Sequence, residues 1–100
     1  MAVSAVMSFR AREGRTGEQL ENLKGVKKLV ERAGGIFRVH RQLFGSQAST
    51  LIAVSEYKDW NSFAKLRSDP EFAQLVVRIR SSANPAADIV GGDVYEEVKI

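Results

Sequence analysis

Residues 48 to 72 read ASTLIAVSEYKDWNSFAKLRSDPEF, and a change of period inside this stretch decides the fold. Up to Tyr57 the pattern has a period of two. Leu51, Ala53, Ser55 and Tyr57 share one side and Thr50, Ile52, Val54 and Glu56 the other, which predicts a strand from about Ala48 to Tyr57. Beyond it the apolar residues fall three or four apart. Asp59 is placed to cap a short helix carrying Trp60, Phe63 and Leu66. Asp69-Pro70 is placed to cap another, because proline loses nothing at a first helical position whose amide has no intrahelical partner. Phe72, Leu75, Val76, Ile79 and Ala83 then form an apolar stripe that ends in residues 81 to 87, with Pro85 among them.

Upstream, Ile36 to Phe44 has the alternation of a second strand. Phe37, Val39, Arg41 and Leu43 lie on one face and Arg38, His40, Gln42 and Phe44 on the other. The short connection through Gly45-Ser46-Gln47 makes it a hairpin with the strand that follows. Further back, Val3, Ala5, Met7 and Phe9 alternate with Ala2, Ser4, Val6 and Ser8, giving a first strand. Thr16 and Gln19 have the spacing of a capping box. They predict a helix of about 17 residues in which Leu20, Leu23, Val26, Lys27, Val30 and Ala33 recur on one face with Leu29 beside them, and a left-handed exit at Gly34-Gly35. Downstream, residues 88 to 99 read as a last strand, with Gly91-Gly92 as a bulge or bend.

This order is strand, helix, strand, strand, helix, strand. With right-handed crossovers it gives a ferredoxin-like α+β fold, a βαββαβ unit with a four-stranded antiparallel sheet and its helices on one face. One domain spanning residues 1–100 is expected. A chain of this size buries roughly 65% of the surface its unfolded form exposes, so its 44% hydrophobic content suffices for a core without staples.

The run from Glu56 to Phe72, with an aromatic early in the short helix, a later Phe and the Ser68-Asp69-Pro70-Glu71-Phe72 break, resembles the strand-to-helix segment of the dimeric α/β-barrel superfamily. That superfamily includes antibiotic biosynthesis monooxygenases and NIPSNAP-like proteins. The resemblance implies a dimer that closes into an α/β barrel through the uncovered sheet faces. It also implies either a cofactor-independent monooxygenase or isomerase acting on a small aromatic or enolisable molecule, or a non-catalytic homodimeric small-molecule-binding or stress-response module. Trp60, Phe63, Pro70 and Phe72 read as structural within it. An uncovered, partly apolar sheet face independently calls for a partner, and a second copy is the economical one.

Composition narrows the chemistry. There is no cysteine and a single histidine, so no thiolate zinc site, iron–sulfur cluster or Cys nucleophile is expected, and no metal, haem or other cofactor. The net charge of +3 is uneven, with nine basic and four acidic residues up to position 50 against six and eight beyond it. No basic cluster exceeds Lys27-Lys28, and Ser49 to Ser55 lacks the aromatic platform that stacks bases, so nucleic acid is not an expected partner. The first residues have no basic run ahead of an apolar core, and no window is long and apolar enough to span a bilayer. No membrane association and a cytoplasmic location are expected.

His40 is the one side chain of a type that ordinarily titrates near neutrality, which makes it the candidate catalytic base. Arg38 and Gln42 flank it one strand repeat away and are candidate substrate-binding residues. Tyr57, Trp60 and Tyr95 can each donate a hydrogen bond at the edge of a pocket between sheet and helices. Glu96 and Glu97 are adjacent on a strand, point to opposite faces and cannot act as an acid–base pair.

Overall fold

The structure is a computed structural model that describes residues 1–45 and 50–100. Its elements are β1 (Val3–Ala11), α1 (Thr16–Arg32), β2 (Ile36–Arg41), β3 (Leu51–Tyr57), α2 (Trp60–Arg67), α3 (Pro70–Arg80) and β4 (Ala87–Glu96). The strands form one antiparallel sheet in the order β2-β3-β1-β4. This is the ferredoxin-like α+β arrangement, with the second helical segment divided in two at Ser68-Asp69.

The two predicted aspartate caps form. Asp59 accepts from the Ser62 amide at 2.9 Å, and Asp69 accepts from the Glu71 amide at 2.9 Å with Pro70 opening α3. Gly34 takes the left-handed conformation at φ +88 that ends α1. The predicted capping box does not form. Arg15 is the N-cap of α1, so Thr16 is already helical, and the Arg15 guanidinium reaches the Glu18 carboxylate at 2.7 Å instead.

Three strand boundaries differ from expectation. β2 stops at Arg41, although Gln42 still donates its amide to the Thr50 carbonyl at 3.0 Å, and Leu43 and Phe44 stand exposed. The described part of β3 starts at Leu51; Ser46, Gln47 and Ala48, assigned to the turn and strand start, lie outside the described residues. β4 ends at Glu96 because β1 offers no partner beyond Ala2, whose carbonyl accepts the Glu97 amide at 2.8 Å. The register of β4 against β1 shifts between Ser8 and Phe9, and Val90 is the unpaired residue beside the predicted Gly91-Gly92 irregularity.

The core lies between the sheet and α1 and α2. Val3, Leu29, Val30, Tyr57, Phe63 and Leu66 form one buried cluster, and Leu23, Leu51 and Ala53 a second. Helix α3 differs from its neighbours. It has no buried residue, and it rests on α1 and α2 more than on the sheet. An ion pair from Arg32 to Asp69 at 2.7 Å, with Glu71 at 3.2 Å, ties its N-terminus to the end of α1. The C-terminal half of α3 is therefore held over the sheet without closing on it.

Candidate functional site: a cavity under the third helix

The space left by α3 is an apolar cavity of about 460 Å³. Its floor is the helix-facing side of the sheet, with Ala5, Met7 and Phe9 of β1 beside Ala53, Ser55 and Tyr57 of β3. Phe72, Val76 and Ile79 roof it from α3, while Leu23, Val26 and Val30 of α1 and Phe63 and Leu66 of α2 form its walls. Gly92 of β4 keeps the floor open. A Cβ there would lie 2.7 Å from the Met7 sulfur and push that side chain aside.

Polar groups are few and placed at definite points. The Tyr57 side chain is hydrogen-bonded to that of Ser55, its strand neighbour on the same face, and burial pushes the phenol pKa up, so it stays protonated as a potential donor. Arg67 and Arg80 also line the cavity; Asp93 borders it from β4, but its pairing with Val6 points its side chain to the uncovered face. Arg67 lies over the Phe63 ring at 5.9 Å.

The sheet separates the residues proposed from sequence into two groups. Tyr57 faces the cavity, and Trp60 joins it through Phe63, which stands 5.4 Å from the Tyr57 ring and 5.3 Å from that of Trp60. Trp60 itself is 57% exposed and does not line the cavity. His40, Arg38 and Tyr95 sit opposite Ile52, Val54 and Ser4, positions in the pleat that point to the uncovered face. His40 and Arg38 also border a shallower groove of about 510 Å³ between α1 and edge strand β2, with Lys24 and Lys27 on its other side. Gln42 lies past the end of β2 and folds under Gly45, its amide nitrogen 2.9 Å from where a Gly45 Cβ would stand. It does not share a site with His40.

Sequence reasoning missed Arg67, Arg80 and Gly92. The arginines are the last residues of α2 and α3, and only the chain path shows that both reach the same cavity. Gly92 could have been found from the alternation, since it falls where β4 should place a side chain on the helix-facing side.

On the uncovered face, Arg38, Val54, Val6 and Asp93 form one cross-strand row, and His40, Ile52, Ser8 and Gly91 the next. Basic groups stand on the β2 edge, acidic ones on the β4 edge, and apolar side chains between. Among the described residues there is no grouping of His, Asp and Glu able to hold a metal ion. No helix among them is long and apolar enough to cross a membrane.

No family model matches the chain, and no curated protein matches its sequence. Solved structures do match along its whole length. A variant of SnoaB, a cofactor-independent oxygenase from Streptomyces nogalater, superposes with a TM-score of 0.74 at 13% identity, covering 99% of this chain and 95% of that one. Rv0793 from Mycobacterium tuberculosis gives 0.71 at 10% identity over 100% and 98%. At3g17210 from Arabidopsis thaliana gives 0.70 at 18% identity over 98% and 97%. The chain thus shares the ferredoxin-like fold of these proteins. At these identities the likeness concerns the fold.

Proposed function

We propose that this protein is a homodimer that binds a small aromatic or enolisable molecule in the cavity under α3 and oxygenates it without a cofactor, as the name of SnoaB states for that protein. The observation that carries this reading is the cavity itself. Its volume of about 460 Å³ falls within the roughly 300–1,000 Å³ of small-molecule sites, and an apolar wall with a few fixed polar groups is what such sites use. In a reaction of this kind the substrate supplies the electrons, and the protein supplies a dry, shaped space and stabilises its ionised form.

Oxygen uptake with a panel of small aromatic and enolisable molecules, under isotopically labelled dioxygen, tests the reading. Label in the product supports it. Ligand binding with no uptake by any of them would leave the non-catalytic binding module. One observation favours that second reading: His40, the base proposed from sequence, lies across the sheet from the cavity.

The dimer proposal rests on the uncovered face. A two-fold axis along the strands lays the β2 edge of one copy over the β4 edge of the other, and Arg38 then meets Asp93 while Val6 meets Val54. Light scattering should give the mass of two chains, with Arg38→Glu weakening the dimer and the paired Arg38→Glu and Asp93→Arg exchange restoring it. A monomer at micromolar concentration would remove the proposal.

A further inference from the structure

Arg67 and Arg80 stand at opposite ends of the cavity. Helix α3 has 11 residues and so is about 16 Å long; Arg67 precedes it and Arg80 closes it. The floor runs the same way. At one end, Ala5 is paired with Val94 and Ser55, near Tyr57 and Phe63; at the other, Phe9 is paired with Ile89 and Leu51. These ends are about 13 Å apart along β1. Between them the lining is apolar, with Met7, Ala53 and Val76 in the middle, and Asp93, the one acid bordering it, lies opposite Val6 with its side chain toward the other face.

Arg12, Arg15 and Arg32 each hold a carboxylate at 3.0 Å or less. Among the described residues Arg67, by contrast, has only the Phe63 ring, and Arg80 has no carboxylate partner, Asp93 included. Both side chains are exposed, so in the empty protein their charges are solvated and cost little. A planar guanidinium at each end of an apolar trough matches a ligand oxyanion at each end, because charge-assisted hydrogen bonds strengthen where an apolar body excludes water.

We infer, on the reading that this cavity is the ligand site, that it selects an elongated apolar molecule carrying an acidic oxygen at each end. Carboxylate, phenolate and enolate oxygens share that chemistry. For an enolisable ligand the same cations favour the ionised form, which suits a cavity that no imidazole faces.

A ligand series of one shape tests this: a naphthalene dicarboxylate with its carboxylates at opposite ends, its monomethyl ester and its dimethyl ester, titrated calorimetrically into the full chain. The diacid should bind tightest, the monoester about tenfold more weakly and the diester about tenfold more weakly again. Arg67→Gln and Arg80→Gln should each weaken the diacid about tenfold and leave the diester unchanged, whereas Arg78→Gln, on the same helix but outside the lining, should change nothing. Thermal melts of the variants check that the fold is kept. Three equal affinities in the wild type overturn the charge selection while leaving the cavity as the ligand site. A monoester that matches the diacid, with one arginine carrying the whole effect, overturns the two-ended site. An Arg78→Gln loss equal to the others reduces the effect to the general field of the helix, which also overturns it. No binding of any member overturns the cavity reading itself.

Discussion

Helices α1 and α3 lie on the same face of the same sheet and carry the same kind of apolar stripe, yet only one of them is core. Leu23, Leu29 and Val30 of α1 are each at most 7% exposed. In α3 the stripe residues Phe72, Leu75, Val76 and Ile79 are only half-buried, and Val77 is 65% exposed. Amphipathicity tells a helix which side to turn toward the protein and says nothing about whether that side meets atoms or space. In α1 it meets Leu51, Ala53 and Tyr57 of β3; in α3 Phe72 and Leu75 rest on the edge of the core, and Val76 and Ile79 meet a cavity.

The largest contrast should appear on truncation. Leu23→Ala removes a side chain packed among Leu51, Ala53 and Phe37 and should cost about 2–5 kcal/mol in chemical denaturation. Ile79→Ala, in the α3 stripe, only widens an existing space and should cost about 1 kcal/mol or less. Equal costs would place α3 in the core and leave no cavity beneath it.

Next in size is Gly35, where α1 turns into β2. A Cβ at this position would stand 2.8 Å from both the Tyr57 ring and Val30, and 3.1 Å from the Glu56 carbonyl. Those are core and backbone atoms with nowhere to go, so Gly35→Ala should cost about 1–3 kcal/mol. At Gly92, on the cavity side, the added carbon meets only the mobile end of Met7. Gly92→Ala should therefore change stability little while reducing the space available to a ligand.

The smallest effect concerns the tether of α3. The Arg32 hydrogen bond holds the Asp69 carboxyl below its usual range, and the Glu71 amide adds to this. A lowered carboxyl value means that the stabilisation is present above about pH 4, the unfolded value, and fades as pH falls through the lower folded one. Melting curves of the wild type and Asp69→Asn should accordingly converge on acidification and differ most near neutrality. A gap that persists at low pH would mean that the capping geometry, and not the charge, holds α3.

Much of this was legible in the chain. Period-two alternation located every strand, and the Asp59 and Asp69 caps set the starts of α2 and α3 within the quoted stretch. Local signals failed where the outcome depends on distant partners. β2 and β4 end where their neighbours end, and Thr16 lost the cap position because Arg15 found both Glu18 and the 84–85 backbone. The site was less legible still. Alternation correctly separates His40 from Val39, but which face the helices cover follows from the register against β3, where Val39 opposes the buried Ala53. That places Tyr57 in the cavity and His40, Arg38 and Tyr95 on the uncovered face. Arg67 and Arg80, 13 positions apart by number, became neighbours of one space only through the turn at Ser68-Asp69.

Native-state hydrogen exchange of the free protein tests most directly the claim that α3 is a roof over space and not part of the core. Amides of α3 should open at a lower free energy than those of α1, whose buried face ties it to global unfolding. If α1 and α3 instead exchange together at the global rate, α3 is packed as core and the cavity does not exist in solution.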